Sequence, residues 1–213
     1  MDVRKVDPEH PDESVLLEAA ETVLRGGVIA FPTDTLYGLG CSLFDVSAVE
    51  MVARLKRRDL SLAVISLIPE PRQVYGLAGE VNDTAERLIA RFWPGPLSLI
   101  FRASPIVPPR VRGAGGTVAL RCPRHTLSER LLDRIGGPVV SSSANLSGQR
   151  PAETAEEVLR IFGNQIDLVI DGGPCQGLPS TLVDVSGSVP RLLRRGAIDV
   201  RSEVPELEDL SAG

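Results

Sequence analysis

Val28-Ile29-Ala30-Phe31-Pro32-Thr33-Asp34-Thr35-Leu36-Tyr37-Gly38-Leu39-Gly40 is the stretch from which the rest of the chain can be read. An apolar run bounded by Gly27 and Pro32 is too short for a helix and reads as a buried strand. Behind it come two threonines, an acid, a tyrosine and two glycines. Ligands in α/β proteins are usually held at the carboxyl ends of strands. Glycines there let the backbone turn tightly or approach a ligand. An ordinary glycine-rich turn is the plainer alternative, and the density of polar groups argues against it.

Outward from that run the chain alternates irregularly between helical and extended patterns. Glu13 to Arg25 carries Val15, Leu16, Ala19, Ala20, Val23 and Leu24 at helical spacing, with Asp12 able to cap its start and Gly26-Gly27 to end it. Asp45 can cap a second helix bearing Val49, Val52 and Leu55. Further helices are predicted near Val81 to Phe92, over Leu127 to Ile135, and from Thr154, whose spacing to Glu157 fits a capping box. Strands are predicted at Ala63 to Ile68, Leu97 to Phe101, Thr117 to Arg121, Val139-Val140, Leu168 to Ile170, Thr181 to Val185 and Leu192-Leu193. The pattern implies one α/β domain, a twisted mixed sheet with helices packed against it. Residues 1–200 are expected to form that domain and 201–213 an acidic, frayed tail.

Composition narrows the function. The chain has 213 residues, 43% hydrophobic and 24% charged, enough apolar material for a core. No apolar run approaches the roughly 18 residues of a membrane span, and the charged N-terminus has no signal core, so a cytoplasmic protein without membrane contact is expected. Three cysteines far apart and two histidines make a disulfide framework or a zinc site a poor fit. A net charge of −5 argues against a generally basic nucleic-acid binder. Only Lys5 and Lys56 are lysines among 23 cations, so Lys56 stands out as a retained point charge.

Standard nucleotide and hydrolase motifs are missing. There is no G-x-x-x-x-G-K-S/T. Val118 takes the place of the third glycine after Gly113-Ala114-Gly115-Gly116, and neither G-x-S-x-G nor H-E-x-x-H occurs. Ser141-Ser142-Ser143 has little to activate a nucleophile. Serines after a strand more often hold anions through hydroxyls and backbone N–H groups. Lys56-Arg57-Arg58 closes a helix; its first and third residues could reach one polyphosphate only if the helix stops there, and a solvated helix end is the alternative. Thr117, Ala119 and Arg121 share one face of a strand, where a hydroxyl and a guanidinium could hold a carboxylate or phosphate, unless Arg121 simply ends the strand in water. Ser143 to Gly148, Asp171 to Cys175, Pro179 to Asp184 and Leu192 to Gly196 add further small polar groups and strand-end cations.

Together these segments resemble the YrdC-like family of threonylcarbamoyl-AMP synthases. Pro32 to Gly40 resembles the family's P-T-E/D-T-x-Y-G-L-G. Trp93 to Leu97 resembles W-P-G-P-L/V, Thr117 to Arg121 resembles T-V-A-V-R, and Ser143 to Gly148 matches S-A-N-L-S-G. Asp171-Gly172-Gly173, Ser180-Thr181 and Leu193-Arg194 continue in register, so the likeness runs from Glu13 to Ile198. One segment departs: where the family has K-x-R-P-x-x-x-P-L, this chain reads Lys56 to Val64 without either proline, and Leu67 stands where a histidine is frequent.

The resemblance implies a single-domain member without the extra C-terminal domain of longer synthases. It implies a twisted, mainly parallel sheet around a large concave, positively lined cleft. It implies formation of threonylcarbamoyl-AMP and pyrophosphate from L-threonine, bicarbonate and ATP with Mg2+, serving threonylcarbamoyladenosine modification of tRNA through downstream tRNA threonylcarbamoyl-transferase proteins. Thr35, Arg121, Ser141 and Ser180 would hold the threonine. Lys56, Arg58, Thr117, Ser143, Asn145 and Arg194 would hold ATP, with Lys56 and Arg58 stabilising charge in the reaction. Asp34 would be structural or positioning. A non-catalytic protein of the same fold that binds tRNA or double-stranded RNA, and a carbamoyl-adenylate enzyme with another acceptor, are the competing readings.

Overall fold

The structure, a computed structural model, describes residues 2–58, 64–175 and 177–211. In chain order the elements are β1 (Asp2–Lys5), α1 (Glu13–Leu24), β2 (Ile29–Phe31), β3 (Gly38–Ser42), α2 (Val46–Lys56), β4 (Ile65–Leu67), α3 (Val74–Leu77), α4 (Asp83–Phe92) and β5 (Leu97–Arg102). They continue as β6 (Thr117–Arg121), α5 (Thr126–Ile135), β7 (Val139–Ser143), α6 (Ala155–Phe162), β8 (Leu168–Asp171), β9 (Thr181–Asp184), β10 (Arg191–Arg194) and β11 (Glu208–Asp209). Helix starts follow the capping residues: side chains of Asp12, Asp45, Asn82 and Thr154 accept backbone N–H groups of the first turns of α1, α2, α4 and α6.

One mixed sheet runs in the order β1-β8-β2-β3-β7-β4-β6-β5-β9-β10-β11. β8 pairs parallel with β1 and β2, β4 with β6, β5 with β9, and β10 with β11. β2–β3, β3–β7, β7–β4, β6–β5 and β9–β10 pair antiparallel. Strand alternation sends Leu39, Cys41, Val118, Leu120, Val140, Val169 and Val183 into the larger core, with α2, α4 and α6. The opposite face buries Ile29, Phe31, Leu67, Val139, Leu168 and Ile170 under α1 and α5. In α1, Leu16, Ala19, Ala20 and Val23 recur every three or four residues and meet Leu127, Leu131, Leu132 and Ile135 of α5. Those two helices cover only part of that face. What they leave open becomes the cleft.

Three segments differ from their sequence reading. Gly38–Ser42, where the sequence predicted no strand, is strand β3, with Leu39 and Cys41 facing the core. Its glycines serve close approach: a Cβ on Gly38 would overlap Ser141 Oγ of neighbouring β7. The charged N-terminus forms β1 at the sheet's edge beside β8. Residues 201–211, expected as a frayed tail, return to the sheet. Val204 is 1% exposed and packs in the larger core, and β11 pairs with β10. Arg191–Glu208 and Arg195–Asp209 ion pairs line that seam. Among the described residues no helix is long and apolar enough to cross a membrane.

Candidate active site

The uncovered face holds a cleft of about 280 Å³, near the lower end of the roughly 300–1,000 Å³ typical of ligand sites. Its wall brings together Thr33, Thr35, Leu36, Tyr37 and Gly38 from the β2–β3 connection, and Ile65 and Leu67 of β4. Arg121 of β6, Ser141 to Ser143 of β7, Ser180 before β9, Arg194 of β10 and Arg58 after α2 complete it, with Pro151 and Pro179. No carboxylate is among these lining residues.

At one end Arg121 is fully clamped. Its Nε donates to Gly95 O at 3.1 Å, Nη1 to Thr35 Oγ1 at 3.0 Å, and Nη2 to Asp34 Oδ1 in a buried ion pair. The turn after α4 exists for this grip. Gly95 N donates to Cys122 O at 2.8 Å, and a Cβ at Gly95 would lie 2.5 Å from Phe92 O, so only glycine fits there. Thr33 Oγ1 donates to Leu36 O at 2.8 Å and lies 3.0 Å from Thr35 Oγ1, which fixes the loop carrying Thr35.

Arg194 donates from Nε to Ser180 O and from Nη2 to Ser180 Oγ, both at 2.9 Å. Burial first, then the neighbouring charges of Arg121 and Arg58, push its pKa below the ordinary arginine value. Burial lowers Arg58 as well. Arg58 is aimed by the way α2 stops. Arg57 adopts a left-handed conformation (φ 52°, ψ 43°), Arg57 N donates to Arg54 O, and Arg58 N to Ala53 O, a Schellman closure. The helix stops at Lys56, as a shared polyphosphate would require, yet of the two cations only Arg58 lines the cleft.

A family model for Sua5/YciO/YrdC proteins, described as telomere recombination, matches residues 21–196. The chain belongs to this family. A threonylcarbamoyl-AMP synthase of Pyrococcus abyssi is 37% identical over 191 residues, which is 89% of this chain and 56% of that protein. A threonylcarbamoyl-AMP synthase of Coxiella burnetii is 35% identical over 178 residues, covering 82% and 95% respectively. The crystal structure of Pyrococcus abyssi Sua5 complexed with L-threonine superposes with a TM-score of 0.93 at 34% identity, over 98% of this chain and 62% of that one. The chain thus spans little more than half the length of the Pyrococcus protein.

In this Sua5/YciO/YrdC chain the sequence-derived site residues divide into two groups. Thr35, Arg121, Ser141 and Ser180 all line the cleft, and so do Arg58, Ser143 and Arg194. Lys56, Thr117 and Asn145 do not. The Lys56 ammonium, 3% exposed, is spent on Ser143 O, Asn145 O and Asn145 Oδ1. Three acceptors occupy its three hydrogens. Burial, with Arg58 as a lesser cause, pushes its pKa down to about 8. Asn145 Oδ1 also accepts from Ser143 Oγ at 2.6 Å, and its Nδ2 donates to Leu146 O and Gln149 O, both at 2.8 Å. Thr117 Oγ1 donates to Ala114 O at 3.1 Å and closes the turn before β6. Lys56 and Asn145 brace the wall behind Ser143, and Thr117 lies at the start of β6, the opposite end of the strand from Arg121. The segment that departs from the family pattern, residues 59–63, lies outside the described residues.

Sequence reasoning missed the apolar floor of Ile65 and Leu67, although strand alternation could have paired them on one face. It also left Asp34 without a partner, which only the fold supplies. Chemically, a fixed guanidinium with hydroxyls beside it suits a carboxylate. A pair of half-buried, mutually repelling arginines with a serine suits an oxyanion of higher charge.

Proposed function

We propose that this chain is a threonylcarbamoyl-AMP synthase that joins L-threonine, bicarbonate and ATP and releases pyrophosphate. One observation carries the reading: Arg121, Thr35, Ser141 and Ser180 share a single cleft with Arg58, Ser143 and Arg194. The names of the relatives and the L-threonine complex of the Pyrococcus neighbour support it.

Arg121 would take the amino acid's carboxylate while the hydroxyls orient the rest of the molecule. The threonine amine condenses with bicarbonate to a carbamate and water. A carbamate oxygen then bonds to the α-phosphorus of ATP, and the bond to the β-phosphate oxygen breaks, releasing pyrophosphate. No side chain becomes covalently attached, so placement is the main task, and positioned groups can supply roughly 7–11 kcal/mol. Arg58 and Arg194 would balance charge developing on the phosphates. Ile65 and Leu67 would keep water off the labile adenylate. Magnesium would enter as part of the nucleotide substrate. Among the described residues no group of three His, Cys, Asp or Glu could hold a metal, and Asp34 is engaged with Arg121. The adenylate would pass to tRNA through transferase proteins in the cytoplasm.

Pyrophosphate release from ATP and magnesium, measured with bicarbonate and each of several amino acids, tests this. Release that depends on L-threonine is expected. Release indifferent to the amino acid would point to another acceptor, and tight RNA binding with no release would point to a non-catalytic role.

A further inference from the structure

Beneath Ser180 lies a second serine. Ser98 of β5 is 0% exposed, and its Oγ is 2.8 Å from Ser180 Oγ, itself 3% exposed. It sits on the cleft side of its strand, because Leu97, Leu99 and Phe101 alternate into the opposite core. Ser180 is the only hydrogen-bond partner of Ser98 Oγ among the described residues. Ser180 Oγ meanwhile accepts from Arg194 Nη2.

These contacts fix which way the hydrogens run. If Ser180 donated to Ser98, the Ser98 hydrogen would be buried with no acceptor, which is costly. If Ser98 donates to Ser180, its hydrogen is satisfied. Ser180 Oγ then accepts from Ser98 and from Arg194, so both lone pairs are used and its own hydrogen is left for the cleft. Thr35 Oγ1, on another part of the wall, accepts from Arg121 Nη1.

We infer that Ser98 is a positioning residue that makes Ser180 a pure hydrogen-bond donor, so that the bound amino acid must bring an acceptor oxygen to Ser180. Assigning that ligand as L-threonine rests on the proposed function; the direction of the hydrogens does not.

Neutron diffraction from D2O-exchanged crystals of the wild-type protein reads the direction itself. Deuterium on Ser180 Oγ pointing into the cleft, with Ser98 deuterium aimed at Ser180, is expected. Deuterium of Ser180 lying toward Ser98 overturns the inference. Calorimetry of Ser98→Ala supplies the second arm, with Ser66→Ala as control, since Ser66 is a fully buried serine on the other side of β4 whose Oγ has no partner among the described residues. Ser98→Ala should weaken L-threonine about fivefold, the scale of one neutral hydrogen bond, with ATP affinity and kcat within twofold. Ser66→Ala should leave all three unchanged. Equal loss of threonine and ATP affinity in Ser98→Ala would mean general loosening and sink the positioning role. A wild-type protein that ignores L-threonine but shows the expected deuterium would refute the proposed substrate and leave the donor assignment standing.

Discussion

Arg121 and Arg194 face the same cleft and are prepared in opposite ways. Arg121 is paired with Asp34 and spends further donors on Gly95 O and Thr35. Among the described residues the Arg194 guanidinium hydrogen-bonds only to the backbone and hydroxyl of Ser180, and no carboxylate pairs with it. Burial and two other arginines press on its charge. A neutralised, immobile guanidinium selects by geometry. A cation without a counter-ion selects by charge, because an arriving anion relieves a cost that folding left in place. On the proposed function, one cleft would thereby tell a small zwitterion from a polyphosphate.

The sharpest way to break this contrast is Arg194→Ala. ATP should bind about 100-fold more weakly by calorimetry, the scale of a charge-assisted contact, and L-threonine a few-fold more weakly, because Arg194 also holds Ser180. Equal losses would show that the two ends are not distinct. Next comes Arg121→Ala, which should weaken the amino acid more than ATP. Because it leaves the half-buried Asp34 with only a long contact to the Arg124 N–H, it should also cost about 1–3 kcal/mol of stability. Thermal unfolding of Asp34→Ala with Arg121→Ala should recover part of that loss.

A smaller effect concerns the wall near the phosphate end. Burial, and to a lesser degree Arg58, pushes the Lys56 pKa from its ordinary 10.5 down to about 8. Between those values the unfolded chain holds the extra proton, so this group makes stability rise with pH through that window, and its burial cost is felt in full below about 8. Ligand binding should move the other way. A neutral amine has two hydrogens for three oxygens, so the Ser143–Asn145 turn loosens and a nearby positive charge is lost. ATP affinity should fall severalfold from pH 7.5 to 9.5. Lys56→Met should flatten both curves, and unchanged slopes in that variant would remove Lys56 from the account.

Much of this was legible because it is local. Helix starts followed Asp12, Asp45 and Thr154, and short apolar runs bounded by glycine or proline became strands. The cleft's hydroxyls and arginines were found because polar residues at strand ends rarely lack a use. What escaped depended on distant partners. Gly38–Ser42 reads as a turn until Ser141 is placed beside it. Residues 201–211 read as loose until β10 offers an edge and the core a place for Val204. Lys56, Asn145 and Thr117 carry the right chemistry for a phosphate, but their hydrogen bonds close on the chain itself. Ser98, a lone hydroxyl in an apolar strand, was the one visible hint of the layer beneath the cleft.

The left-handed Arg57 has a consequence for how this protein could change. Such a backbone costs a residue with a side chain roughly 1–2 kcal/mol, and glycine almost nothing. Glycine at 57 would offer sturdiness cheaply, yet it would widen the range of directions in which the next residue can project. The family's cation at 58 is thus held on target by a conformation that a purely stability-driven selection would discard, a small standing tension between durability and aim.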